Sequence, residues 1–477
     1  MRKILPAQIQ MGEIDVSAIT IELNNRDEIP QLLRGLQFIY NDKTTRAEVF
    51  KLLWKIVPKG VDKNNGRQGM NLWRILVLGM LRLTCNCDYD KLQELANNHC
   101  TLRQMLGHGL FDNQFNYHRQ TLNDNLRLFT PEVLDQINQI VANAGIKLSK
   151  DATGELTDRG RCDSFVLETD VHFPTDINLL WDAVRKSMHL SEKAADYYSI
   201  SGWRQSRHNL REIKSLYRTV QIERDREKES TATLHATQRY VDGSMIHLQR
   251  AEQLVEKIGI DTLQIGVASQ IKWYVDQGKK QIDQICRRCF NGEKILHEEK
   301  IFSLFEPHTE WISKGKAGVP QELGLRVCIM ESSTGFILHY KVMEQETDDA
   351  IAVEMVKETL KKFPCIRGVS FDKGFHSKDN QKDLGKMLDH VTLPRKGKLN
   401  AEQKAIEESE EFVSRRRHHS AVESAINALE NHGLDRCCDN GIDGFKRYVA
   451  LAVLARNIQL IGAILRKQQL DEISKAA

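Results

Sequence analysis

The 477-residue sequence has only nine prolines and no low-complexity tract, which argues against long disordered linkers. Net charge is only +3, from 68 Lys+Arg against 65 Asp+Glu. That excludes a histone-like chain, while local basic patches for phosphate remain open. The ten cysteines are scattered, and the N-terminus carries nothing like a signal peptide, so the reduced cytoplasm is the expected compartment. The most apolar run, Leu72 to Leu83, is interrupted by Arg74 and Arg82 and is too short to span a bilayer. It reads as a buried core helix, and no membrane contact is expected. What is present is ordinary globular material, 41% hydrophobic and 28% charged, long enough for two or three domains.

Residues 1–150 read as mostly helical. Arg46 to Val57 is amphipathic, and Met70 to Thr84 is apolar nearly all round. Short segments follow at Tyr89 to Asn97 and Thr101 to Leu106, with Arg119, Gln120 and Asn123 opening another. Such a succession suits either a helix-turn-helix-like DNA-binding module or a plain helical bundle. Residues 162–173 switch to a strand pattern around Phe165, Val166 and Leu167, and Asp176 is placed to cap the next helix. Residues 177–298 are helical again, including the charged stretch Trp203 to Glu229.

From 301 the period changes. Ile301 to Ile312 is strand-like. Leu325 to Met330 and Phe336 to Met343 flank Glu331-Ser-Ser-Thr-Gly335, a hairpin signal. An amphipathic helix from Thr347 to Phe363 precedes a short apolar strand, Ile366 to Phe371, that closes on Asp372. Gly374 lets the chain turn, and Ser377 caps a helix to Leu388. A last short strand, Val391 to Leu393, precedes long helices from about 401. Strands alternating with helices imply an α/β fold, a mixed sheet with helices packed on it.

Three carboxylates stand out: Asp163 on the first strand, Asp372 at the end of a later one, and Glu423 beside the apolar stripe of a helix. Two acids on neighbouring strands and one on a packed helix are suited to hold two divalent cations about 3.5–4 Å apart. Mg²⁺, or Mn²⁺, suits such an all-oxygen set. Asp372 taken alone reads better as a turn residue than as a ligand, so the case rests on its partners. Basic groups cluster nearby: Lys314 and Lys316; Arg395, Lys396 and Lys398; then Arg415, Arg416, Arg417, His418 and His419. Such clusters supply phosphate contacts to DNA, although the glutamates among them also fit a solvated charged face. Cys286-Arg-Arg-Cys289 with His297 lacks the second half-site of a zinc finger. Trp203 and Trp311 read as packing rather than as base-stacking platforms.

These blocks resemble the bacterial insertion-sequence transposases of the ISNCY type. Asp163 to Asp176, followed by Leu179-Leu-Trp-Asp182, is similar to their first acidic block. Ser303 to Ile312 with Lys314 and Lys316 resembles the central block. Phe371-Asp-Lys-Gly-Phe375 and His419-Ser-Ala-Val-Glu423 resemble the second and third acidic blocks, and Gly433 to Arg436 and Tyr448 to Asn457 the C-terminal helices. The resemblance implies an RNase H-like catalytic domain of the DDE type with Asp163, Asp372 and Glu423 as its triad. On this reading residues 1–150 bind DNA, 151–176 and 299–470 form the catalytic domain, and 177–298 are a helical insertion after the first strand. Asp170 and Asp176 compete with Asp163 as first ligand. The implied partners are double-stranded DNA, as element ends and target, and a second copy of the chain in a dimer or higher oligomer. The positions seven and four residues before Glu423 are Arg416 and His419, so the Tyr and Arg that another transposase group uses there are missing. A non-catalytic DNA-binding regulator and a structure-specific nuclease are the rival expectations.

Overall fold

The apolar runs around Gly335 do pair as a hairpin in the computed structural model, which describes residues 2–5, 12–58, 60, 68–109, 115–153, 158–258, 265–313 and 321–476. Gly335 takes φ +88°, a left-handed conformation that suits glycine. The chain begins with α1 (Glu28–Asn41), α2 (Lys43–Leu53), α3 (Leu72–Thr84), α4 (Tyr89–Asn98), α5 (Cys100–Met105), α6 (Arg119–Leu126) and α7 (Pro131–Thr153). Then come β1 (Arg159–Thr169), α8 (Asp176–Tyr197), α9 (Ser206–Arg226), α10 (Thr231–Ile258) and α11 (Ile265–Cys289). The sheet resumes with β2 (Glu310–Ser313), β3 (Gln321–Ser332) and β4 (Ile337–Met343), followed by α12 (Asp348–Lys362), β5 (Gly368–Phe371), α13 (Lys378–Met387) and β6 (His390–Thr392). The chain closes with α14 (Ala401–Glu407), α15 (Glu410–His419), α16 (Ala421–Leu429), β7 (Arg436–Cys437) and α17 (Ile442–Ala476).

The chain is mostly helical, with helices flanking one mixed sheet. Among the described residues that sheet has seven strands in the order β2-β3-β1-β5-β6, with β4 paired to β3 and β7 to β1. β1 runs antiparallel to β3 and parallel to β5, and β5 runs parallel to β6. The stretch from Ile301 is not a strand until Glu310; Ser303 and Thr309 instead fold it into local turns, each through a hydrogen bond with Glu306. The cap also shifts by a residue, since Thr175 rather than Asp176 accepts the Asn178 amide in the first turn of α8. Glu423 lies on a helix of its own, because the chain breaks at Ser420 between α15 and α16.

Two compact units emerge, Met1–Asp170 with Ile312–Ala477, and Val171–Trp311. No unit boundary falls at 150. In the first unit α1, α3 and α7 pack on α17, so the N-terminal helices and the C-terminal helix share one core with the sheet. α3 is the buried core helix that its apolar run implies, and α17 is a second, longer apolar helix. It is long and apolar enough to cross a membrane, and 67% of its most apolar window is buried inside the protein. Asn457 on this helix anchors the sheet to α7. Its Nδ2 donates to Asn138 Oδ1 at 2.7 Å and to the Ile337 carbonyl at 2.9 Å, while its Oδ1 accepts the Ile337 amide at 2.9 Å.

The second unit is built from α8 to α11 around Leu180, Val184, Met188, Tyr240, Leu248 and Ile271. Buried Asp182 is held by His172 Nε2 at 2.6 Å and by Arg185 at 3.3 Å. Cys286 and Cys289 are free thiols. Trp203 is buried beneath Arg250, and Trp311 packs edge-on against Phe173.

His432 contributes a pH dependence. Its ring sits buried between the Leu83 carbonyl and Gln459, at 3.2 and 2.9 Å. Burial, helped by the Arg456 charge, pushes its pKa down to about 4. An unfolded histidine titrates near 6.5. Between those values the unfolded chain binds the extra proton, so stability is lost as pH falls from about 6.5 toward 4, by at most about 3 kcal/mol from this group. Urea denaturation at pH 7.5, 5.5 and 4.5 should show that loss, and His432→Gln should flatten it. An unchanged slope in the variant would exclude His432 as the cause.

Candidate active site

The site forms where two parallel strands stop matching in length. Cys162 of β1 lies opposite Phe371 of β5, which places Asp163 and Asp372 side by side at the next step. β5 is buried throughout and ends there, while β1 runs on to Thr169. The chain leaves β5 through a single 3₁₀ turn, Lys373–Phe375, capped by Asp372, whose Oδ2 accepts the Gly374 amide at 3.4 Å.

A fourth acid, unremarked in the sequence, joins them. Asp348 opens α12, and its Oδ1 accepts a hydrogen bond from Ser164 Oγ at 2.6 Å. Ser164 points to the sheet face opposite Asp163, so Asp348 reaches the strand end from the other side. Gly374 makes room for this. A Cβ at that position would lie 3.2 Å from Asp348 Oδ2 and 3.7 Å from Asp372 Oδ2. The two carboxylates therefore face one small space that a side chain would fill. Glu423 comes from the first turn of α16.

The electrostatics tie all four together. The Asp163 carboxyl is pushed up to about 7, chiefly by burial and further by the charges of Asp372, Asp348 and Glu423; the Ser164 amide, 2.8 Å from Oδ1, works against the shift. Asp163 thus lies within the field of the other three. The donor set is all oxygen and fits a hard divalent cation in kind. Among the described residues, however, no three His, Cys, Asp or Glu side chains gather closely enough to grip one ion. The other three acids act on Asp163 without forming a closed ligand shell.

His419 departs from the basic cluster in which the sequence places it. It ends α15 with its ring turned inward, Nδ1 lying 3.0 Å from Ser370 Oγ, while its Nε2 is buried without a hydrogen-bond partner. Burial lowers its pKa and Arg161 adds to that, against the opposing pull of Asp372 and Glu423. A neutral imidazole therefore stands beside the acids.

The other basic residues divide. Lys314 and Lys316 lie outside the described residues. Lys396 donates to the Gly374 carbonyl at 2.7 Å and braces the Asp372 turn. The backbone amide of Arg395 donates to Glu407 at 3.0 Å, and Arg415 pairs with Glu411 one turn back. His418 is tied through Nδ1 to the Ser414 carbonyl at 2.7 Å. Lys398, Arg416 and Arg417 are exposed. Asp170 and Asp176 are engaged elsewhere, by Arg436 at 3.3 Å and Arg288 at 2.7 Å respectively.

Asp348 carried a signal that was readable only as structure. Thr347-Asp348-Asp349 looks like a helix cap with an acidic first turn, and nothing local ties it to Asp163. No family model, curated protein or solved structure matches this chain.

Proposed function

We propose that this chain is a DDE transposase with an RNase H-like catalytic unit, cutting and joining the DNA ends of an insertion sequence. The observation that carries the reading is the placement of Asp163 and Asp372 side by side on parallel neighbours β1 and β5. The order β4-β3-β1-β5-β6, in which only β3 is reversed relative to β1, supports the RNase H-like assignment. The sequence resemblance of the acidic blocks supports the DDE assignment.

In this reading Asp163, Asp372 and Glu423 hold divalent cations, and Asp348 is a fourth carboxylate at the same place. Two bound ions would supply a more acidic attacking water or 3′-OH and charge stabilisation for the leaving oxygen. The protein itself does the rest. Ser164 and Gly374 orient Asp348 and Asp372, Lys396 steadies the turn, and exposed Arg416, Arg417 and Lys398 face phosphate. The helices before β1, with exposed Arg119 and Gln120 on α6, serve end recognition. Joining two ends calls for a dimer or higher oligomer.

The test is incubation of the full chain with Mg²⁺ or Mn²⁺ and a duplex bearing the inverted repeats that flank its gene. Nicks exposing 3′-OH ends, followed by joined products, are expected. Nicks without joining would favour a nuclease. The open arrangement of the acids favours one rival, a DNA-binding regulator, and binding without any cleavage in either metal would establish it.

A further inference from the structure

A cavity of about 410 Å³ lies beside the acids, lined in part by Arg159, Arg161, Ser370, Thr392, Arg415 and His418. Its floor is a row of the sheet. Arg161 pairs in register with Ser370, and Ser370 with Thr392, across β1, β5 and β6. Side chains two residues apart on a strand share a face. Arg161 and Ser370 therefore lie on the same face as Asp163 and Asp372, one step of about 6.6 Å along the strands. The roof comes from α15 through Arg415 and His418.

The lining states what chemistry fits. Two of the guanidiniums are held in place, Arg161 by Glu331 at 3.0 Å and Arg415 by Glu411. Arg159 is exposed at the rim and has no ion-pair partner among the described residues. Asp158 is the one carboxylate among the lining residues described. Hydroxyls of Ser370 and Thr392 offer hydrogen bonds to a polar edge. The volume far exceeds one phosphate and falls in the range of pockets for organic ligands, about 300–1,000 Å³. An occupant must therefore join an anion to a flat or compact body rich in donors and acceptors.

We propose that this cavity takes one unstacked nucleotide of the DNA strand whose neighbouring phosphodiester lies at the acids. The proposal rests on the transposase reading for the strand's identity, while the cavity's chemistry stands by itself. Arg159 meets the phosphate, and the row of hydroxyls faces the sugar or base. The step between this row and the acids is one that a single nucleotide of an unstacked strand spans. Taking a base out of the stack costs a few kcal/mol and least where the duplex is already open, so single-stranded DNA is the preferred ligand.

The experiment measures binding of a single-stranded tetranucleotide carrying 2-aminopurine to the full chain in Ca²⁺, by anisotropy and base fluorescence. A blunt 20-base-pair duplex and free dAMP are titrated in parallel. Arg159→Ala and His390→Trp are tested because both positions are exposed on the cavity's lining, and circular dichroism checks their folding. Each should weaken tetranucleotide binding by about tenfold, a change of about 1.4 kcal/mol, and shift duplex binding less than twofold. Free dAMP should bind at least about a hundredfold more weakly than the tetranucleotide. Unchanged tetranucleotide affinity in both folded variants overturns the proposal. So does dAMP binding as tightly as the tetranucleotide, which would assign the cavity to free nucleotides. The two readings fail separately. Tetranucleotide binding that depends on Arg159 in a chain that never cleaves DNA sinks the transposase and keeps the cavity. Cleavage with unaltered binding in the variants does the reverse.

Discussion

Asp372→Asn and Asp163→Asn should each lower metal-dependent cleavage by about 10³-fold or more, with duplex affinity retained or increased. The magnitude follows from losing a charge aimed at the reacting centre in a group that acts as a unit. Retained binding follows because each change removes negative charge from a surface that meets phosphate under the proposed function. Full cleavage by either variant would remove that residue from the proposed triad.

Asp163 adds a second, independent readout. Its carboxyl titrates near 7 in the folded chain and near 3.9 when unfolded. Between those values the folded state holds the extra proton, so this group lowers stability as pH rises from about 4 to 7, and the loss persists above 7. Its ceiling is about 4 kcal/mol, and water reaching the half-buried carboxyl reduces it. Asp163→Asn should therefore melt higher than the wild type at pH 8 and show little difference at pH 4. Mg²⁺ should raise the melting temperature of the wild type and leave Asp163→Asn nearly unmoved, since a ligand stabilises only the state that binds it. Equal Mg²⁺ shifts in both would mean that Asp163 holds no ion.

Large stability effects belong to Gly35 and Gly462. α1 and α17 cross with their backbones in contact at these two positions. A Cβ on Gly35 would lie 2.0 Å from the Ile458 carbonyl oxygen, and one on Gly462 would lie 1.8 Å from that of Gln31. Neither oxygen belongs to a side chain that is free to swing away. Even alanine forces the helices apart, and the gap opens in a core that holds Leu32, Leu36, Leu454 and Ile461. Gly35→Ala and Gly462→Ala should each cost on the order of 3–5 kcal/mol, read by urea denaturation. Gly385 is the control. It lies on α13 with nothing within 4 Å of its Cβ position, so Gly385→Ala should be neutral or stabilising by up to about 1 kcal/mol. Similar losses at all three positions would mean that helix crossing is not the cause.

The two glycines also explain why the first 150 residues do not stand apart. Composition and periodicity show that α1 and α17 are helices with apolar faces. They do not show that the two faces meet, because the residues that make the contact are more than four hundred positions apart. A glycine in a helix reads locally as a weakness. Only the crossing turns it into a requirement.

At the site, residues 366–377 were legible because every local signal agrees there. A buried strand, an acid at its end, a glycine turn and a serine cap follow one another, and Ser377 does accept the Asn380 amide at 3.1 Å. The β3–β4 hairpin was legible for the same reason. Asp348 and His419 were not. One looked like an ordinary acidic first turn and the other like part of a basic run, and local periodicity contains no term for a neighbour across the sheet. The sequence by itself determined the β3–β4 hairpin, the β5 strand and the acid that ends it, because those depend on chemistry within a few residues. Tertiary structure alone decided that Asp163 stands beside Asp372, that Asp348 comes to meet them and that His419 turns inward. Strand register and helix packing bring distant residues together, and the field they then share has no counterpart along the chain.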